Sequence, residues 1–88
     1  MRDDHSPALR AFHLIARYGS FTRAAADMEV TASALSQTMR QLEQRVGVRL
    51  LQRTTRKVGL TEAGRQFLQR ITPALAAIDG ALDELRQH

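Results

Sequence analysis

Eighty-eight residues allow one small domain with a single modest core, and 43% hydrophobic against 25% charged residues is the balance of an ordinary folded chain. The lack of cysteine excludes a disulfide framework and a thiolate metal site, and no apolar run approaches the roughly 20 residues that span a bilayer. The net charge of +4 is unevenly placed: residues 1–30 balance to zero, residues 31–60 sum to +5 with Glu43 their only acid, and residues 61–88 sum to −1.

That middle-third excess is the footprint of a surface that meets a polyanion. The opening MRDDHSPAL carries acids where a secretory signal is basic, so a cytoplasmic location is the expectation. Ser6-Pro7 then reads as a helix start, a hydroxyl cap followed by proline in the first turn. Leu9, Phe12, Ile15 and Ala16 form its apolar stripe, and Tyr18-Gly19 its stop. Ser20 suits the cap of a shorter helix, on which Phe21, Ala24, Ala25 and Met28 share one face. Its alanines permit close approach by a neighbour. Glu29-Val30-Thr31 reads as a turn, with Thr31 capping the next helix and Val30 packing on Leu35 as a hydrophobic staple.

The third helix, about 32–46, separates into two stripes. Leu35, Met39, Leu42 and Val46 make an apolar face. Ser33, Gln37, Arg40 and Gln44 lie opposite, with Ser36 at their edge and no acid along the centre. Hydroxyl, amide and guanidinium groups are those that bond base edges and phosphates in a DNA groove. This is a recognition helix by expectation, and with the helix before it a helix-turn-helix.

Leu50-Leu51 and Val58–Leu60 read as two short strands around a basic tip, Arg53-Thr54-Thr55-Arg56-Lys57, making a wing over about 50–60. Such a tip suits the DNA backbone or a minor groove. Thr61 caps the last helix, whose apolar positions Leu68, Ile71, Leu75, Ile78, Leu82 and Leu85 step by three and four. That heptad seam implies a second copy of the same helix in a two-fold dimer. Pro73 and Gly80 interrupt the helix away from the seam.

Catalysis has no support. His5, His13 and His88 are scattered without a partner at metal-ligand spacing, and Ser33 and Ser36 lack a glycine-flanked elbow. No metal, cofactor or enzymatic activity is expected. The polar face of the last helix mixes acids with few cations, which argues against a membrane-surface role.

Four segments in this order, GSFTRAA at 19–25, SALSQTMRQLE at 33–43, GVRLLQR at 47–53 and LTEAG at 60–64, resemble the N-terminal DNA-binding domain of LysR-type transcriptional regulators. The resemblance implies a mainly α fold, a winged helix-turn-helix over 1–60 with a long linker or dimerisation helix over 61–88. It implies base contacts from Ala32, Ser33, Ser36 and Gln37, with Arg40 next on the same face. It implies backbone contacts from Thr22, Arg23 and Thr31 and from the wing at Arg53, Thr54, Arg56 and Lys57. Leu68 onward matches the dimerisation helix. The partners implied are double-stranded promoter DNA and a second copy, with tetramers frequent among intact members. A small-molecule inducer would act only through the family's C-terminal domain, of which nothing is found in these 88 residues.

Three positions depart from the family. Ala32 stands where glutamine is frequent and could meet a thymine methyl. Gln37 stands where arginine is frequent and suits adenine. Gln52 replaces the wing's usual acid, which leaves Arg53 freer to meet phosphate. The alternative to DNA binding is a winged-helix module for protein interaction, with the seam as its partner site.

Overall fold

Hydroxyl caps start three of the four helices. In a computed structural model, which describes residues 6–53 and 58–87, the order is α1 (Ser6–Tyr18), α2 (Phe21–Met28), α3 (Ala32–Val46), β1 (Leu51–Arg53), β2 (Val58–Leu60) and α4 (Glu62–Arg86). Ser20 Oγ accepts the Arg23 amide at 3.2 Å, Thr31 Oγ1 that of Ala34 at 3.0 Å and Thr61 Oγ1 that of Gly64 at 2.9 Å. A cap of this kind is worth typically about 1 kcal/mol. Ser6 is itself the first helical residue of α1 rather than a cap before it.

Val30 does not form the expected staple; it stays 45% exposed. The α2–α3 turn is held by its backbone instead. Glu29 adopts φ 59°, the left-handed region, and the Val30 amide donates to the Ala25 carbonyl at 3.0 Å. A side chain there costs about 1–2 kcal/mol, so the corner is kept by the packing on both sides.

Phe12 and Ile15 of α1, Met39 of α3 and Leu51 of β1 are the largest fully buried side chains. Ala24 and Ala25 bring α2 against them, and Leu35, Leu42, Leu50, Ile71 and Leu75 complete one cluster. Burying each large side chain contributes about 1.5–3 kcal/mol. Phe67 reaches back from α4 to Phe12, with ring centroids 5.7 Å apart.

The wing is an antiparallel pair with Leu51 opposite Leu60, Gln52 opposite Gly59 and Arg53 opposite Val58. Together with the helices it makes a winged helix-turn-helix. Thr61 ties wing to arm: its amide donates to the Leu50 carbonyl at 3.1 Å and its hydroxyl to the Arg49 carbonyl at 2.7 Å. At the start of α4, hydrogen bonds from Arg65 and Gln66 hold the Glu62 carboxyl below its ordinary range. That small support is present above the ordinary carboxylate range and is lost as pH falls from there through the lowered value.

The expected seam divides in two. Ile71 and Leu75 are buried in the domain's own core and Leu68 packs against it. Only Ile78, Leu82 and Leu85 are left exposed, Leu85 at 70%. Periodicity predicts one continuous face, but the globular part reaches only as far as Leu75. Beyond it an Arg10–Asp79 ion pair at 3.0 Å joins α1 to α4. α4 runs unbroken through Pro73.

Candidate nucleic-acid interface

α3 is fixed from below by Leu35, Met39 and Leu42, all buried. Ser33, Gln37, Arg40 and Gln44 are exposed on the opposite face. Thr38, between the faces, spends its hydroxyl on the Ala34 carbonyl at 3.0 Å. Val46 belongs to neither side, being 48% exposed past the last core contact. Ala32 is half-buried against the core, so its methyl is partly withdrawn from any ligand.

Thr22 and Arg23 are exposed at the start of α2, and Thr31 is exposed at the cap of α3. The Arg23 guanidinium lies over the Tyr18 ring, 4.7 Å from its centroid. Tyr18 in turn donates its hydroxyl proton to Asp27 at 3.0 Å. The stacked guanidinium keeps its edges for an anion while its stem stays ordered.

Arg53 is where the structure departs from expectation. It belongs to β1 rather than to the tip, and alternation along the strand places it on the same face as buried Leu51. Its guanidinium lies 5.2 Å from the Phe21 ring centroid. Its Nη1 donates to Ser36 Oγ at 3.3 Å, and its Nη2 stands 3.8 Å from Glu43 Oε1. Arg53 is therefore not freed by Gln52: the acid comes from α3 instead. Nε and Nη2 are buried with no hydrogen-bond acceptor among the described residues, which leaves the ion pair to compensate them. Thr54, Arg56 and Lys57 lie outside the described residues.

Glu43 is the residue that pattern reading missed. Its other oxygen, Oε2, accepts the amides of Leu50 at 2.8 Å and Leu51 at 3.0 Å, and the side chain is only 10% exposed. One carboxylate thus clamps the end of α3 to the wing and turns its charge inward. The signal available in the sequence is that Ser36 and Glu43, seven residues apart, share an edge of α3, while Arg53 alternates with Leu51. The open depression of about 410 Å³ beside α3 is lined by Arg40, Arg49 and Arg53 together with Glu43, so that Arg40 and Arg49 are the cations there not paired with it.

Glu43→Gln retains an oxygen for the two amides but loses the charge that strengthens both bonds and that balances the Arg53 guanidinium. We expect a loss of at least about 1 kcal/mol in unfolding free energy by urea titration. No change in the midpoint would mean that the clamp contributes nothing.

Among the described residues no cluster of three His, Asp or Glu is placed to hold a metal, and no helix is long and apolar enough to cross a membrane. Comparison with known proteins places the geometry in context. Residues 7–65 match the family model described as bacterial regulatory helix-turn-helix protein, lysR family. The HTH-type transcriptional regulator PgrR of Escherichia coli K12 is 47% identical over 85 residues, covering 97% of this chain and 28% of that protein. A transcriptional activator of a carbapenem-hydrolysing β-lactamase from Enterobacter cloacae is 42% identical over 80 residues, covering 91% of this chain and 27% of that one. The chain thus spans little more than a quarter of these relatives. Among solved structures, the BenM DNA-binding domain in complex with catB site 1 DNA superposes with a TM-score of 0.85 at 30% identity, covering 92% of this chain and 90% of that one. Oxidised OxyR of Corynebacterium glutamicum gives 0.86 at 34% identity, over 97% of this chain and 27% of that one.

Proposed function

The chain belongs to the LysR family of bacterial regulatory helix-turn-helix proteins, and from that premise we propose that it binds double-stranded DNA sequence-specifically, as a homodimer, for a transcriptional regulator. The observation that carries this is the outward face of α3. Four polar or cationic side chains are exposed there in one row, while the opposite face is locked in the core. That row fits a major groove.

In this reading residues 1–60 are the DNA-binding part and 61–88 the dimerisation helix. Ser33, Ser36, Gln37 and Arg40 meet bases, and Ala32 meets them less because the core holds part of it. Thr22, Arg23 and Thr31 meet one stretch of backbone, and the wing tip another. Arg53 supports the site from inside. The exposed end of α4, with Ile78, Leu82 and Leu85, packs on the partner. An antiparallel pairing carries that end to the apolar depression of about 220 Å³ formed by Val46, Val48, Leu50, Ala63 and Phe67 at the other subunit's helix start. A whole regulator of this family would sense a small molecule through a further domain and act in the cytoplasm.

The test is a binding titration across salt with a randomised duplex library. Affinity is expected to fall steeply with salt, as phosphate neutralisation requires. Gln37→Ala should change base preference at one or two positions, by about 1–3 kcal/mol each. Salt-independent binding sinks the phosphate-facing surface; equal weakening on every sequence sinks the base contact.

A further inference from the structure

Ser36 is expected to meet a base, yet it is also bonded from behind. Its Oγ is 3.3 Å from Nη1 of Arg53. A guanidinium carries only donors, so in this bond the serine oxygen must accept. One lone pair is thereby occupied, and the serine proton remains to be donated elsewhere. Within α3 the obvious acceptor is a carbonyl one turn back, as Thr38 uses that of Ala34 at 3.0 Å. Ser36 makes no such bond among the described residues, and it is half-buried at the edge of the exposed row.

We infer that Arg53 sets the polarity of the Ser36 contact, committing its hydroxyl as a donor to the groove and so selecting a base that presents an acceptor there. This rests on the reading of α3 as the base-contacting helix and adds to it the direction of one hydrogen bond. A serine left to itself rotates and serves donor or acceptor bases alike. A cation bonded to its oxygen weakens that oxygen as a further acceptor and strengthens the O–H as a donor. In the major groove N7 and O6 of guanine, N7 of adenine and O4 of thymine accept, whereas cytosine offers only its N4 donor. Cytosine is the base this arrangement rejects.

Arg53 is a positioning residue in this scheme, and its own orientation is fixed from three sides. Phe21 lies beneath the guanidinium, β1 pairing fixes the backbone, and Glu43 Oε1 balances the charge at 3.8 Å. Glu43 cannot swing away, because its second oxygen is held by the Leu50 and Leu51 amides. The polarity of a contact on the surface is thus set by a largely covered carboxylate two turns along the same helix.

The experiment begins by selecting duplexes from a random library with the 88-residue chain and with Ser36→Ala. The one position whose base preference changes is the position Ser36 reads. There the original chain should bind cytosine about five- to tenfold more weakly than the acceptor bases, the range expected for one hydrogen bond. In the double variant Glu43→Gln, Arg53→Met, the amide clamp and the apolar stem over Phe21 are kept but the cation is gone. The ratio against cytosine should fall to within twofold. The ratio is read at one position, so it is independent of overall affinity. A second arm uses the unaltered chain with base analogues that lack only the acceptor atom, N7 of a purine or O4 of thymine. Each should cost as much as Ser36→Ala. Discrimination against cytosine that persists in the double variant, or analogues bound as well as natural bases, overturns the polarity while leaving sequence-specific binding standing. Selection of no sequence by the unaltered chain overturns both.

Discussion

Replacing Gly64 by alanine should cost about 3 kcal/mol of stability, at the top of the range for inserting one methyl into a packed site. For a domain of this size that is a fall of more than about 10 °C in Tm. Gly64 is buried where α4 crosses the chain entering the wing. An added Cβ would fall inside the Leu50 carbonyl, within 3.0 Å of its carbon and 3.3 Å of its Cα. These are backbone atoms and cannot step aside. The carbonyl oxygen is held by the Thr61 amide, and the Leu50 amide by Glu43. The same substitution at Gly80 meets nothing within 4 Å. On an exposed stretch of helix it should stabilise, by about 0.5–1 kcal/mol. Thermal unfolding followed by circular dichroism measures both; Gly64→Ala as stable as the parent would show that the helix crossing is loose.

Ile78→Asp combined with Leu82→Asp should leave a folded monomer whose affinity for a two-half-site duplex falls about 10²–10⁴-fold, to the level of a single half-site. Both side chains lie beyond the core and are nearly half exposed, so the charge meets the partner and not the interior. Leu75→Asp is no substitute for this test. Leu75 is 8% exposed within the core cluster, and a carboxylate there would unfold the subunit. Sedimentation equilibrium with a parallel binding titration decides the matter. A double variant that remains dimeric would place the interface elsewhere.

Local signals were legible in the sequence at the hydroxyl caps and the two faces of α3, though not at Val30, which stays 45% exposed instead of stapling onto Leu35. Ser20 and Thr31 cap as their positions foretell, and α3 separates its two faces as its spacing requires, because both depend on residues three or four apart. Arg53 was not legible in the same way. Its role comes from a strand register with Val58 and from Glu43, ten residues back on another element, and no local pattern joins the three. The seam on α4 shows a different limit. Ile71 and Ile78 stand at equivalent heptad positions, and periodicity records that each must be covered without saying by what. Whether the cover is the chain's own core or a second copy depends on how far the globular part extends along the helix. Val46 is a partial case: it continues the apolar stripe of α3 but stays 48% exposed, lining an open apolar depression with Val48, Leu50, Ala63 and Phe67.

In the proposed dimer, the same continuity of α4 would make the distance between two bound subunits a property of each subunit's interior. Ile71 and Leu75 hold one end of the shaft, and the far end stands about 20 Å away at about 1.5 Å per residue. A tilt of about 10° at the inner end would move the outer end by about 3.5 Å, close to the rise of one base pair. Repacking around Phe12 and Phe67 would then retune which operator spacing fits, without touching any group that faces the duplex.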